Sequence, residues 1–542
     1  MKHPLCLALL VFLAAGLFTG CKKTTGGSTV ATAKYLHASG SIIKDGNGKT
    51  VRLQGVAFGN DIWNEEIPAA HHSEADFKRV SDMHMNVVRF YMNYKTFESD
   101  AAPYSYKQAG WDWMDKNIAW AKKYGVFLIL NMHAPQGGYQ SQGTGDALWN
   151  VVENQNRLTA LWKAIATRYK DEPAIIGFGL VNEPVPVQSL AQWQQLAQRI
   201  ATAVRTVDKN HILFLEKPIY VKNEPGENAD YNFPVINDNN VVYEFHIYDP
   251  IQYTHQLFTW AHQGEGGKYP DENIISYSNS SWYTGAFNNP LLPSGNSNWQ
   301  YVEGEKYTIT DSRIKIGLAV LAARNVTGTA FFDDVVVKEF DPQGNFTGNV
   351  VSSSLNSIDG WSYWSVNNTG SGNAETTTGH SDGACLFVSA ATGDCNLSNY
   401  RDVFIPKQGY AYQACGWMKG QQVAIGAACM LRTDYLSTSD PVTGRNKAYL
   451  AAALNRYVNW GRLKNVPIYM GEFGVGVHCF ENNKGGLQWV TDMVDICKAN
   501  NIYFTYHAYH EDSFGLYYGT GTLPDPANAN TALINLFTQK LQ

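Results

Sequence analysis

The sequence has little clustered positive charge, and this excludes a large class of functions. The net charge is −6, and no run of basic residues is longer than a pair. Because nucleic-acid binding needs a concentrated positive surface, we expect no nucleic-acid partner. Metal-ligand spacings and a Gly-rich nucleotide loop are also missing. We therefore expect no catalytic metal and no required cofactor.

Long apolar runs are scarce, apart from one close to the N-terminus. Residues 5–18 are apolar, follow Lys2, and are too short to span a membrane comfortably, so they indicate an export signal. Residues 17–21, Leu-Phe-Thr-Gly-Cys, resemble the lipobox of bacterial lipoproteins. The resemblance implies a signal peptide over residues 1–20, lipidation of Cys21 and a cell-envelope location, at the outer membrane or cell surface. An ordinary cleaved signal, and hence secretion, is the alternative. Residues 21–34 predict a flexible tether.

Cysteine is sparse, and six residues remain beyond Cys21 in the expected mature chain. None of them forms a Cys-x-x-Cys pattern. Disulfides are allowed in an exported protein, so Cys385–Cys395 and Cys415–Cys429, which each flank a hairpin-length segment, could pair. Free buried thiols are the alternative. The six are Cys385, Cys395, Cys415, Cys429, Cys479 and Cys497.

Apolar runs of strand length alternate with helical patterns along most of the chain. Continuous apolar runs suit strands that are buried on both faces, as in a parallel sheet covered by helices. Eight such strands predict an α/β fold, a closed (β/α)8 (TIM) barrel. A doubly wound open sheet is the alternative. Such a fold is expected to have a Gly-rich turn after its first strand, but residues 52–63 contain only the isolated glycines Gly55 and Gly59, so the barrel is favoured. The predicted strands are 52–58, 86–91, 126–133, 175–181, 212–216, 241–246, 468–471 and 502–506, after a hairpin within 35–51 that caps the barrel bottom.

About two hundred residues separate the sixth strand from the next barrel helix, which is far too long for an ordinary loop. Short alternating runs rich in Ser, Thr, Asn and Gly predict an all-β sandwich of jelly-roll type in this β6–α6 connection. Such modules commonly bind carbohydrate. The predicted domains are barrel residues 35–283, the inserted sandwich 284–436 and barrel residues 437–542.

The order of segments within the insert suggests a circularly permuted jelly roll. Residues 330–337 resemble the last strand of carbohydrate-binding jelly rolls, whereas 360–364 and 409–420 resemble segments that normally precede it. The hypothesis predicts that Val335 and Val336 pair beside a strand near residues 350–355. Asp333 and Asp334 could help to hold a structural calcium.

Two predicted strands end in glutamates. Residues 175–184 end in Asn182-Glu183-Pro184, and residues 467–474 contain Gly471-Glu472-Phe473-Gly474. The fourth and seventh strands of a barrel lie across its mouth from each other, so both carboxyls can face one pocket. Glycoside hydrolysis needs such a pair, one protonated and one ionised.

With these motifs, the chain resembles glycoside hydrolase family five. Further matches fall where that family places them, over residues 36–269 and from 448 to the end. The resemblance implies that Glu183 is the acid/base and Glu472 the nucleophile of a retaining enzyme. It also implies a supporting set of substrate-binding residues: Arg89, His133, Asn182, His246, Tyr248 and, where the family commonly has Trp, His507.

Substrate specificity is less defined than the reaction. Aromatic residues make up 13% of the chain, as suits sugar stacking. An endo-acting β-1,4-glucanase acting on plant-type β-glucan is favoured, and a β-mannanase, xyloglucanase or other β-glucan hydrolase is the alternative. Because His507 stacks less well than Trp, Trp63 and Trp149 could supply other platforms. A non-catalytic polysaccharide-binding lipoprotein is the alternative of another class. We expect a monomer.

Overall fold

A closed barrel of eight parallel strands forms the larger part of the protein. The computed structural model describes residues 35–59, 62, 71–223, 232–366 and 369–542. Each predicted strand is present with its ends shifted by two residues or fewer, so the (β/α)8 fold is confirmed. The predicted signal peptide, Cys21, the tether and Trp63 lie outside the described residues. The barrel strands are Gln54–Phe58, Val87–Asn93, Phe127–Ala134, Ile175–Gly179, Ile212–Glu216, Val241–His246, Ile468–Glu472 and Tyr503–Tyr506.

Alternation along the strands divides the barrel into an apolar base and a polar top. On the second strand, Val87 packs in the apolar cluster of the barrel base, whereas Val88 and Phe90 pack outward against the helices. Because side chains alternate between faces, Arg89 and Tyr91 share the inward direction of Val87. The same rule places Glu244 and His246 above Val242 on the sixth strand.

The helices surround the barrel and fix the ends of its strands. Three fully buried tryptophans on these helices donate their indole N–H groups to backbone carbonyls near the strand ends. Trp162 donates to Leu180, Trp193 to Glu216 and Trp489 to Asp249. In the described part of the chain the α-helices are Glu74–Asp82, Gln108–Tyr124, Asp146–Asn150, Val152–Tyr169, Leu190–Arg205, Ile251–Thr254, Lys447–Lys464, Gly486–Asn500 and Thr531–Lys540. No helix in the described part of the chain is both long and apolar enough to cross a membrane.

The N-terminal hairpin within residues 35–51 is present and closes the barrel base. His37–Ser39 pairs with Ile42–Lys44, while the turn after Lys44 brings only Thr50 back into a bridge. Ile43 is fully buried in the base cluster, and its backbone N–H donates to the Tyr503 hydroxyl at 2.6 Å.

Two antiparallel sheets follow the sixth barrel strand and pack face to face. The five-stranded sheet contains, in order, Ser280–Gly285, Ala428–Thr438, Ile314–Arg324, Asp394–Asn399 and Trp361–Ser365. The seven-stranded sheet contains Gly295–Glu303, Ala411–Val423, Thr329–Phe340, Cys385–Ser389 and Ser371–Glu375, with Tyr307–Thr308 and Phe346–Ser353 beside it. At the base, Asp271–Ser276 pairs with Thr443–Arg445, so the chain enters and leaves the sandwich side by side.

Inside the sandwich, strand Thr329–Phe340 pairs antiparallel with Phe346–Ser353. Val335 lies opposite Ser353, and Val336 lies opposite Ser352. This is the pairing that the circular-permutation hypothesis requires, although the permutation itself stays a prediction. All six cysteines beyond Cys21 are buried free thiols, so the alternative to disulfide pairing holds.

Candidate active site

The structure brings the eight sequence-predicted barrel residues together at the carboxyl ends of the strands. Glu472 ends the seventh strand, and His246 ends the sixth. Asn182 and Glu183 follow the fourth strand, and His507 follows the eighth. Arg89 and His133 lie on the second and third strands, and Tyr248 follows the sixth.

Glu472 is held by three hydrogen-bond donors. Its Oε1 accepts from Arg89 Nη1 at 2.7 Å and from the Tyr91 hydroxyl at 2.6 Å, and its Oε2 accepts from the Tyr248 hydroxyl at 2.8 Å. Burial alone would raise the pKa of Glu472, but the charges of His246, His507 and Arg89 outweigh it. The pKa of this carboxyl therefore lies well below its usual range, and it is ionised at neutral pH.

Glu183 faces Glu472 across a shared histidine nitrogen. Its backbone φ of 43° lies in the left-handed region, which is costly for a residue with a side chain and recurs at functional sites. His246 Nδ1 is 2.9 Å from Glu183 Oε1 and 3.6 Å from Glu472 Oε2. Those two distances limit the separation of the two oxygens to about 6.5 Å, the lower edge of the range for inverting glycosidases.

Arg89 is fully buried and links several acidic side chains. Besides Glu472, its guanidinium donates to Asn182 Oδ1 at 2.8 Å, and it lies 3.3 Å from Glu216 and 2.7 Å from Glu244. A buried cation of this kind requires compensating carboxylates, because transferring a charged group from water to the protein interior is energetically unfavourable. Asn182 is thereby fixed with its amide N–H directed to Ser141 Oγ, at 3.1 Å.

Sequence reasoning missed Tyr91, Glu216 and Glu244. All three are buried at the site, and Glu216 Oε1 lies 3.4 Å from His246 Nε2. Burial raises the pKa of Glu216 well above its usual range, because the opposing effects of His246 and Arg89 are smaller. The sequence did contain a pattern that could have identified them. Each residue lies an even number of positions from another inward-facing residue on its strand, so its side chain points to the same face.

His133 and His246 occur in different charge environments. His133 stacks on Tyr91 with ring centroids 3.9 Å apart, and burial lowers its pKa well below the usual range. For His246, burial also opposes the charged form, but Glu216 and Glu472 outweigh it and raise the pKa well above its usual value. A neutral His133 and a protonated His246 are therefore expected at neutral pH.

His507, which the sequence resemblance aligns with the family's tryptophan, follows the eighth strand and lies beside Tyr91 and Glu511. Its Nδ1 is 3.1 Å from the Tyr91 hydroxyl, and its Nε2 is 3.4 Å from Glu511 Oε1. Burial opposes its protonation, but the charges of Glu511 and Glu472 raise its pKa. Trp149 is not a sugar platform: it is 4% exposed and donates its indole N–H to Gln140.

Among the described residues, Glu183, Glu216 and His246 form the one group of His, Cys, Asp and Glu side chains close enough to hold a metal ion. The Arg89 guanidinium already supplies a cation 3.3 Å from Glu216. In the sandwich, Asp333 accepts backbone N–H groups from Asp334, His380 and Ser381. The calcium at Asp333 and Asp334 stays a prediction.

Comparisons with known proteins match the barrel to a cellulase family model and to proteins named endoglucanases. Residues 44–294 match the family model described as Cellulase (glycosyl hydrolase family 5). Endoglucanase C of Acetivibrio thermocellus is 29% identical over 239 residues, covering 43% of this chain and 65% of that protein. An endoglucanase of Paenibacillus polymyxa is 30% identical over 247 residues, covering 40% and 60%.

A solved structure, endoglucanase Cel5A of Thermotoga maritima, has a TM-score of 0.47 at 15% identity, with 90% of this chain and 96% of that chain covered. The chain spans just under two thirds of the length of the curated relatives.

Proposed function

Because the barrel of this chain belongs to glycoside hydrolase family 5, we propose that the protein hydrolyses β-linked glucan with retention of configuration at the anomeric carbon. The observation that carries the proposal is the contact of Glu183 and Glu472 with one nitrogen of His246, at 2.9 and 3.6 Å. Such proximity supports the closer carboxyl spacing of retaining enzymes, about 5–5.5 Å.

In the first step, Glu472 attacks the anomeric carbon while Glu183 gives its proton to the leaving glycosidic oxygen. The three donors on Glu472 keep it ionised and oriented for this attack. In the second step, Glu183 takes a proton from water, and that water displaces Glu472 from the glycosyl-enzyme. His246 contacts both carboxyls and so can adjust to the change in charge between the steps.

An endo-acting β-1,4-glucanase is the specificity that we favour. His507 presents a polar ring where stacking is expected, so mannan, xyloglucan and other β-glucans stay open as substrates. A non-catalytic polysaccharide-binding protein is disfavoured, because both carboxyls and their supporting residues are present in one buried network.

A panel of carboxymethyl cellulose, mixed-linkage β-glucan, mannan and xyloglucan, assayed for new reducing ends, tests the proposal. We expect activity on at least one polysaccharide and a loss of at least about a thousandfold in Glu472→Ala. Proton NMR of the first product formed should show the β-anomer. Unchanged activity in Glu472→Ala would remove the mechanism, and an α-anomer as first product would show inversion.

We also propose export and lipid anchoring through Cys21, from the sequence pattern of residues 5–21. Metabolic labelling with a radioactive fatty acid should mark the wild-type protein and leave Cys21→Ser unlabelled. Equal labelling of the two proteins, or none in either, would contradict a lipid anchor at this residue.

A further inference from the structure

A chain of ring contacts runs from Glu472 to the surface. Tyr248 donates to Glu472, and its ring lies 5.6 Å from Phe514. Phe514 lies 5.6 Å from Phe258, which stacks against Trp260 at 5.4 Å with the planes 19° apart. Phe514 and Phe258 are buried, whereas Trp260 is 60% exposed. The contacts therefore fix an exposed tryptophan on a rigid aromatic support that begins at the candidate nucleophile.

Trp260 packs against two buried rings and is still 60% exposed. Phe258 stacks with it, and His255 makes a T-shaped contact at 5.6 Å with an interplanar angle of 72°. An exposed indole on a fixed support loses little conformational entropy when it binds a flat apolar surface. The C–H face of a pyranose is a surface of this kind.

The sandwich joins the barrel beside Trp260. Gln263 forms an antiparallel bridge with Ser362, the Ser362 hydroxyl donates to Gln263 Oε1 at 2.9 Å, and the rings of His262 and Tyr363 are 6.1 Å apart. Trp260 lies three residues before Gln263, in the 3-10 turn Thr259–Ala261, and Trp364 lies two residues after Ser362 on the strand Trp361–Ser365. Both tryptophans therefore flank this contact, and Trp364 is 52% exposed.

We propose that Trp260 and Trp364 form an outer aromatic platform that binds the substrate's β-glucan chain beyond the catalytic carboxyls. The inference rests on the proposed function, because it assumes that the β-glucan chain extends from the catalytic carboxyls toward these two tryptophans. The sandwich then acts in substrate binding by supplying one of the two rings from its edge strand, Trp361–Ser365.

A glycan suits this surface better than a protein partner does. The segments that carry the two rings meet through the polar side chains of Gln263 and Ser362, and the His262 ring lies beside Tyr363. A polysaccharide presents the matching pattern of C–H faces and hydroxyls. Through the buried rings of Phe258 and Phe514, Trp260 is held in a fixed position relative to Tyr248 at the catalytic centre.

Binding can be separated from catalysis in a Glu472→Gln background. Calorimetry with cellobiose, cellotetraose and cellohexaose gives the gain in affinity with chain length. We expect Trp260→Ala and Trp364→Ala each to weaken cellohexaose binding by about tenfold, or about 1.4 kcal/mol, while cellobiose binding changes little. Trp260→Phe should keep most of the affinity, because it keeps a ring.

Trp282→Ala is the matched control. Trp282 is 56% exposed and lies on Ser280–Gly285, the strand at the opposite edge of the same five-stranded sheet from Trp364. It should leave all three affinities unchanged. Circular dichroism of each variant should match the parent, since the side chains removed are exposed.

Three results would overturn the platform. They are equal losses for cellobiose and cellohexaose, a loss in Trp282→Ala as large as in Trp364→Ala, and no binding of any of the three sugars to the parent. Hydrolysis assays distinguish this failure from failure of the proposed function. If wild type is active and Glu472→Ala is not, the catalytic assignment stands whatever the platform variants do.

Discussion

The Tyr248 hydroxyl donates a hydrogen bond of 2.8 Å to Oε2 of Glu472, on the side opposite the bonds from Arg89 and Tyr91. Each donor stabilises the ionised form of the carboxyl and adds to the charges of His246, His507 and Arg89, which outweigh the burial that disfavours the charge. The electrostatic state of Glu472 thus depends on side chains from the second strand and from the segment after the sixth.

Replacing Tyr248 by Phe should raise the pKa of Glu472, because one donor to its charged form is lost. The acidic limb of the pH profile of kcat/KM should move to higher pH, and kcat/KM at neutral pH should fall about 10- to 100-fold, corresponding to roughly 1.5–3 kcal/mol. Tyr503→Phe, at the barrel base, is the control: it removes a hydroxyl that is bonded to Ile43 and should leave the profile in place. An unmoved acidic limb in Tyr248→Phe would contradict the role of this bond.

Arg89→Lys should be strongly destabilising, although the charge is kept. A lysine cannot reproduce the fork that reaches Glu472, Asn182 and Glu244 together. We expect a loss of about 3–5 kcal/mol in the free energy of unfolding, measured with urea, and at least about a hundredfold loss of kcat/KM. Arg313→Lys changes an exposed ion pair with Asp311 and should leave the free energy of unfolding close to that of wild type. Similar losses in the two variants would argue against the buried network.

The free energy of unfolding should depend on pH through Glu472. Its folded-state pKa is depressed, so its charge contributes stability above the unfolded pKa of about 4.3, and this is lost as pH falls through the folded value. The stability difference between wild type and Glu472→Gln should therefore be largest in its ionised range and shrink progressively below about pH 4.3. Glu303→Gln, on the sandwich surface, should differ from wild type by less than about 1 kcal/mol throughout. A pH-independent difference for Glu472→Gln would contradict the assignment.

Gly471→Ala should disrupt the site by steric conflict. A Cβ at this position would lie 1.9 Å from Glu244 Oε1, so the carboxylate that pairs with Arg89 would have to move. We expect a loss of at least about 3 kcal/mol in thermal or urea unfolding, together with loss of activity. Gly344→Ala has a positive φ but no neighbour within 4 Å of the added Cβ. This substitution should lower the free energy of unfolding by only about 1–2 kcal/mol, the cost of placing a residue with a Cβ in the left-handed backbone conformation. Equal costs would show that the contact with Glu244 is not the cause.

Much of the barrel could be predicted because strands buried on both faces appear in the sequence as continuous apolar runs. Glu183 and Glu472 could be placed because each follows such a run. Glu216 and Glu244 could not be identified from strand ends alone. They belong to the site because both pair with Arg89, and that contact is visible only in the folded structure. The hypothesis that Trp149 is a sugar platform was wrong. Whether an aromatic side chain near a loop is exposed depends on the partner that it finds in the fold, and Trp149 is buried with its indole N–H bonded to Gln140.

The sandwich was less predictable in detail. Its strands alternate clearly, but strand order depends on pairings between distant segments, such as Ser280–Gly285 with Ala428–Thr438. The contact between Gln263 and Ser362 is also non-local. Local sequence patterns do not encode such partners, and the outer aromatic platform therefore had no signal in the sequence alone.

The antiparallel pair Asp271–Ser276 and Thr443–Arg445 has a consequence for biosynthesis. The sixth barrel strand must pair with the seventh, Ile468–Glu472, which leaves the ribosome only after the whole sandwich has been made. A flexible connection of that length would impose an entropic cost on closing the barrel. A sandwich that folds first and joins its two ends at this pair replaces the long connection by a short one. Since the seventh strand is synthesised after the sandwich, Glu472 can reach Glu183 only once the sandwich has been made.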